Sequence, residues 1–265
     1  MSTGDFDADA WIRSGSRSYS GILGRCLEGG RGLLSWAFAN SCLLCDSPVR
    51  SNADESAGVS PVCEVCIRDL PALPPVCPRC AAPSPSGAIC GACIAHTPSF
   101  DRTVAVWRYT FPLDRLVLAL KFHARLSLAP FLAGRLAGRI RESAATVTPD
   151  LLLPMPLHRK RLAERGFNQS MEIARPLARM LGCRVQTGGV MRIRPTVPQT
   201  ELDPQSRRKN VRGAFRCNLD LTGKRVAVVD DVMTTGATLE ELTGVLKRAG
   251  AAEVINLVIA RAYPD

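Results

Sequence analysis

Long apolar runs are missing from this chain of 265 residues. No stretch reaches the eighteen or more uninterrupted apolar residues of a membrane helix, and the best candidate, residues 32–45, is broken by Ser35, Asn40 and Ser41. That excludes a transmembrane segment. Arg31 ahead of the apolar run 33–39, with Ala37-Phe38-Ala39 mimicking a cleavage site, invites comparison with a secretory leader. The run sits at the bottom of the length range for that role and leads straight into cysteines whose pattern suits a reducing compartment, so a cytoplasmic chain is expected. Walker A and Gly-x-Gly-x-x-Gly patterns are also missing, which argues against an ATPase or a nicotinamide enzyme. Aromatic residues make up only 5%, with three Trp and three Tyr, so platforms for stacking single-stranded bases are scarce.

What is present fits one large or two smaller globular domains: 46% hydrophobic and 22% charged residues. The net charge of +10 is uneven. Residues 1–99 hold seven Lys/Arg against nine Asp/Glu, whereas residues 159–216 alone hold fourteen against four. A surface so positive faces phosphate groups, on a metabolite or on a nucleic acid.

Three regions follow from texture. Residues 1–40 read as a Ser/Gly/Asp-rich tail with a short amphipathic helix over 21–39 that its glycines weaken. Residues 41–98 are a Pro-rich module holding eight of the eleven cysteines. Residues 99–265 carry an α/β pattern. It has an alternating strand over 102–109, helices over 113–122 and 126–141, a buried strand at 151–153, a basic segment over 159–165 and a helix over 168–181. A possible strand over 190–193, a long loop over 195–212, a strand over 225–230, a helix over 236–249 and a strand over 253–260 complete it. The β-α-β order predicts a doubly wound parallel sheet.

The cysteines come as Cys42/Cys45, Cys63/Cys66, Cys77/Cys80 and Cys90/Cys93, each pair separated by two residues. That spacing lets both thiolates of a tight turn face one metal ion, and Zn2+ takes four such sulfurs, so four pairs make two structural sites. Sequential pairing gives two self-contained ribbons; interleaved pairing, a disulfide framework and iron–sulfur clusters are the alternatives. Few basic residues lie between Cys42 and Cys93, which favours a structural or protein-contact role over nucleic-acid binding.

The sharpest signal is the stretch from Val226 to Leu239. A buried strand delivers Asp230 and Asp231, and then Thr234, Thr235, Gly236, Ala237 and Thr238 open a helix. Backbone N–H groups and the positive helix end form an anion nest, Gly236 allows positive φ, and the carboxylates suit vicinal hydroxyls. Ribose with a 5'-phosphate satisfies both halves. The bland alternative is an ordinary N-capped turn with a solvated Asp pair.

This acid-acid, Thr-Thr-Gly stretch resembles the type I phosphoribosyltransferases. With the four cysteine pairs, Leu120-Lys121-Phe122, Pro154-Met155-Pro156-Leu157-His158, Arg165-Gly166-Phe167-Asn168-Gln169, Pro198-Gln199-Thr200 and the run from Asn210 to Phe215, the chain resembles the competence-associated ComF family. The resemblance implies a double zinc ribbon ahead of a type I phosphoribosyltransferase-like sheet that binds 5-phosphoribosyl-1-pyrophosphate with Mg2+. Asp230 and Asp231 would then hold the ribose hydroxyls, Thr234 to Thr238 the 5'-phosphate, and the backbone of Met155, Pro156, Leu157 and His158 the pyrophosphate. Lys121, Arg159, Lys160, Arg161 and Arg165 are further pyrophosphate or acceptor candidates; Gln199, Thr200, Arg207, Arg208 and Arg212 belong to a flexible loop expected to close over the site. His158 could equally cap its loop. The implied reaction is displacement of pyrophosphate from ribose C1 by an unidentified acceptor. A non-enzymatic sensor, or a factor handling single-stranded DNA beside competence or helicase proteins, is the competing reading.

Overall fold

Alternation of small and large apolar residues after Phe100 forms strand β1 (Arg102–Arg108), in which every second side chain is buried. The computed structural model describes residues 41–49, 60–143, 148–195 and 211–263. The tail and helix expected within residues 1–40, and Gln199, Thr200, Arg207 and Arg208, lie outside the described residues.

Ahead of β1 the described part of the cysteine module holds two short helices, α1 (Glu64–Arg68) and α2 (Gly91–Ala95), and a 3-10 turn at Pro85–Gly87. After β1 come α3 (Leu113–Phe122) and α4 (Leu128–Glu142), whose leucines recur at helical spacing. Leu113, Leu116, Leu120, Leu128, Leu132 and Leu136 are fully buried, each worth about 2 kcal/mol of transfer free energy. Strand β2 (Leu151–Pro154) follows, then α5 (Arg159–Arg165) and α6 (Gln169–Leu181). The basic segment is thus itself a helix, closed by Gly166 at φ 81. Two short strands had no legible pattern: β3 (Arg184–Val185) and, beyond β4 (Val190–Arg192), its partner β5 (Phe215–Cys217). Strand β6 (Arg225–Met233), helix α7 (Ala237–Arg248) and strand β7 (Glu253–Arg261) complete the order.

The main sheet runs β1-β7-β6-β2-β3, all parallel. β4 and β5 form a separate antiparallel pair, so the strand expected near 190–193 exists but lies outside the main sheet. The doubly wound architecture is as the β-α-β order requires. Successive β6 residues divide between two cores: Ala227 and Val229 pack with α3, α4 and α6, Val226 and Val228 with α7. Among the described residues no helix is long and apolar enough to cross a membrane.

The cysteine module covers the free edge of β1. Arg108 and Thr103 donate backbone hydrogen bonds to the carbonyls of Pro71 and Pro78, and Ala72 bridges to Trp107. Residues Asn40–Asp265 form one compact unit.

Candidate functional site

Two loops leave the C-terminal edge of the sheet side by side, because β2, starting at Leu151, and β6, starting at Arg225, are neighbours although far apart in sequence. Beyond β2 the chain steps outward to β3, and β6 lies on the other flank, which makes this the point where strand order reverses. Register pairs Pro154 with Val229, and the Met155 N–H donates to the Val229 carbonyl at 2.8 Å. The Met155 loop is thereby set beside Asp230.

β6 continues to Met233, three residues beyond the expected end, so both aspartates lie inside a strand rather than at its end. They are 9% and 5% exposed. Asp230 Oδ1 accepts from the Ser170 hydroxyl at 3.3 Å and from the Asp231 N–H at 2.9 Å. Burial pushes the Asp230 carboxyl up to about 6, against the opposing pull of Lys121, Ser170 and Arg192. The Lys121 ammonium is ion-paired with the Asp231 carboxylate. Burial pushes Lys121 down to about 8, Asp230 draws it back up, and Arg165 and Arg161 oppose its charge.

The turn after β6 is built around a left-handed glycine at the start of a helix. Gly236, at φ 80, N-caps α7, and its carbonyl accepts from the Glu240 N–H at 2.8 Å. A Cβ there would meet the Met233 Cε at 2.7 Å, in a backbone conformation side chains rarely adopt. Thr235 Oγ1 accepts from the Ala237 N–H at 3.4 Å, and Thr234, Thr235 and Thr238 are half-buried.

Asn168, legible as the start of a helix and as part of the Arg165–Gln169 motif, was given no role of its own, yet it does two things. Its Oδ1 accepts from the Ser170 and Met171 N–H groups at 3.0 and 3.3 Å, capping α6, while its Nδ2 donates to the Met155 carbonyl at 3.0 Å. Asn168→Ala is expected to cost about 1–2 kcal/mol by thermal denaturation and to loosen the Met155 loop. An unchanged melting curve would mean that the clamp is incidental. His158 takes the capping role: its Nδ1 accepts from the Lys160 N–H at 3.3 Å. Met155 and Pro156 are buried, Leu157 half-buried.

The basic residues separate. Lys121, Arg161 and Arg165 line a cavity of about 350 Å³ with Phe122, Ala124, Glu164 and Phe167. The Arg165 guanidinium lies 5.3 Å from the Phe122 ring centre and donates to Gln169 Oε1 at 2.5 Å. Arg159, Lys160 and Arg212 are exposed; the Arg212 carbonyl accepts from Arg194 Nη1 at 2.6 Å. The sequence reading missed Arg192, whose guanidinium lies 5.5 Å from the Phe215 ring centre and whose charge lowers the Asp230 carboxyl. Among fourteen basic residues nothing singled it out; the β4–β5 pairing and the bridge to His158 bring it in.

The cysteines gather as Cys42/Cys45/Cys63/Cys66 and Cys77/Cys80/Cys90/Cys93, the sequential grouping. In each group the ligand atoms lie within 4.8 Å of one another, with Sγ–Sγ separations of 3.7 Å for Cys45–Cys63 and 3.6 Å for Cys80–Cys90. Four sulfurs tetrahedral about Zn2+ are about 3.8 Å apart, so each group fits one ion. These separations are far too long for disulfides, and among the described residues every cysteine is a free thiol. The Leu44 and Cys63 N–H groups donate to Cys42 Sγ at 3.5 and 3.4 Å, an outer-shell contact that suits a thiolate.

Comparison with known proteins agrees with both halves. Residues 33–94 match the double zinc ribbon domain, and residues 168–263 the phosphoribosyl transferase domain. The DNA utilization protein YhgH of Salmonella typhimurium is 38% identical over 197 residues, covering 73% of this chain and 87% of that protein. Competence protein F of Haemophilus influenzae is 33% identical over 179 residues, covering 65% and 78%. The chain belongs to the ComF family. A more distant ComF relative, Competence protein ComFC of Bacillus subtilis, is 25% identical over 241 residues, covering 83% and 94%. The type I phosphoribosyltransferase-like sheet and the cysteine ribbons are thus the two halves of a ComF protein.

Proposed function

We propose that this ComF-family protein binds 5-phosphoribosyl-1-pyrophosphate in the cleft between the β2 and β6 loops and transfers its phosphoribosyl group to an acceptor, releasing pyrophosphate. The observation that carries the reading is the buried pair Asp230 and Asp231, with half-buried Lys121 ion-paired to it, beside the Gly236 turn. Burying two adjacent carboxylates costs stability that an apolar cluster would not, and such sites are retained for what they bind. The two carboxylates accept hydrogen bonds from the vicinal ribose hydroxyls, and the Thr234–Thr238 turn holds the 5'-phosphate through backbone N–H groups and hydroxyls. As the C1–oxygen bond breaks, negative charge collects on the leaving pyrophosphate; Lys121, Arg161 and Arg165 line the adjoining cavity and stabilise it there. Mg2+ carried with the pyrophosphate would supply further charge neutralisation. No covalent nucleophile from the chain is required.

The reading predicts a bell-shaped dependence of affinity on pH. Asp230 must be ionised to accept from a hydroxyl, so binding strengthens as pH rises through about 6. Lys121 must stay protonated, so binding weakens as pH rises through about 8. Calorimetric titration of 5-phosphoribosyl-1-pyrophosphate across this range is expected to give the tightest binding near neutrality; a flat profile would contradict the assigned roles.

DNA handling is the second reading, supported by the names of the relatives and by the excess of fourteen basic over four acidic residues in 159–216. It predicts single-stranded DNA binding that weakens steeply with salt and survives Asp230→Asn.

A further inference from the structure

The second cysteine cluster is fastened to the Gly236 turn from three directions. Arg261, at the end of β7, is 7% exposed. Its Nε donates to the Cys80 carbonyl at 2.8 Å, and its Nη1 donates to the Met233 carbonyl at 3.1 Å and to the carbonyls of Thr234 and Ala262. Ser99, shortly after Cys93, grips the first turn of α7: the Glu240 carboxylate accepts from the Ser99 N–H at 3.0 and 3.1 Å and from its hydroxyl at 2.6 Å. Ala81 and Phe100 are buried in one core with Met233 and Leu239, and Cys80 packs against it.

The Arg261 contacts have a stereochemical consequence. A trans peptide is planar, with its C=O and N–H pointing in opposite directions. Holding the Met233 and Thr234 carbonyls toward Arg261 therefore turns the Thr234 and Thr235 N–H groups away from it, out of the buried side of the turn. An anion nest consists of successive N–H groups aimed at one point, so the Arg261 fork, fixed at its other end to the Cys80 turn, sets the orientation of its first peptides.

We propose that Arg261 is a positioning residue through which the second zinc ribbon determines affinity for the sugar phosphate. The proposal rests on the reading of the Thr234–Thr238 turn as a phosphate site. Because the coupling of two binding equilibria is reciprocal, ligand on the turn also tightens zinc binding at Cys77, Cys80, Cys90 and Cys93, so that a chelator exposes fewer of these thiols. The first cluster is an internal control: Cys42 is buried in the other core, with α3 and α4, and Cys63 and Cys66 pack against that core.

The test uses the full zinc-loaded chain, challenged with a chelator and pulse-alkylated with and without ribose 5-phosphate or 5-phosphoribosyl-1-pyrophosphate, with each cysteine read by mass spectrometry. Ligand is expected to slow labelling of the second cluster about tenfold and to leave the first unchanged. Arg261→Gln should weaken sugar-phosphate binding about tenfold by calorimetry and remove the selective protection; Arg261→Lys, which restores the charge but not the fork, should not rescue it. If Arg261→Gln fails to fold, the wild-type labelling still decides, together with Ser99→Ala, which should lower affinity and protection in parallel. Ligand binding with both clusters protected equally, or neither, would overturn the coupling and leave the phosphate site standing. No binding of either sugar phosphate to folded, zinc-loaded protein would overturn the site and the coupling together.

Discussion

Replacing Asp230 and Asp231 together by Asn is expected to abolish Mg2+-dependent binding of 5-phosphoribosyl-1-pyrophosphate, with affinity falling at least about a hundredfold by calorimetric titration. Each carboxylate offers a charge-assisted acceptor worth about 1.5–3 kcal/mol, and an amide at the same place is a weaker one. The single substitutions separate binding from folding. In the folded protein burial raises the Asp230 carboxyl to about 6, so its contribution to stability is fully present below the unfolded value near 4 and is lost as pH rises through 6. Asp230→Asn removes that loss, and the variant should melt no earlier than wild type at neutral pH while binding far more weakly. Asp231→Asn instead leaves the Lys121 ammonium, 21% exposed, without its ion-pair partner, and should lower both stability and affinity. Undiminished binding by the double variant would remove the basis for the ribose reading.

Metal removal is the second large effect. The native protein should contain two Zn2+ per chain by elemental analysis, and a strong chelator should lower the melting temperature by roughly 20 °C or more, since structural zinc contributes about 10 kcal/mol to small domains. Among its described residues the module has little regular structure of its own: α1 and α2 are five residues each, and neither of them has a side-chain cap. Its loss would also uncover the edge of β1 that Pro71 and Pro78 now cap, so aggregation on chelation is expected by light scattering. A single zinc per chain, or a chelated protein with an unchanged melt, would argue against two structural sites.

The central strands, the long helices and the metal groups were legible because one local rule governs each. Strands β6 and β7 are buried on both faces and read as continuous Val/Ile/Leu runs; α3 carries its leucines at helical spacing over the same bounds, Leu113–Phe122, that the sequence predicts. The short strands β3 and β5, of two and three residues, were not legible, because so few residues cover little more than one period and no alternation can repeat in them. The basic run from Arg159 gave no apolar stripe, and α5 buries none of its residues, so its helical state had no hydrophobic signal to read.

By itself the sequence determined chemistry and class: four spaced thiol pairs, adjacent acids ahead of a Thr-Thr-Gly turn, and a β-α-β order that allows only a parallel sheet. The tertiary structure alone decided which groups meet. Lys121 reaches Asp231 from α3, Ser170 reaches Asp230 from α6, and Arg192 joins them through a pairing that no local pattern announced. Arg261 lies one residue beyond the strand the sequence predicts over 253–260, and only the fold shows it ending β7 and spanning from Cys80 to Thr234. The physical reason is that periodicity and motif spacing act over a few residues, whereas these contacts join positions from 23 to 181 residues apart, and packing alone brings such positions together.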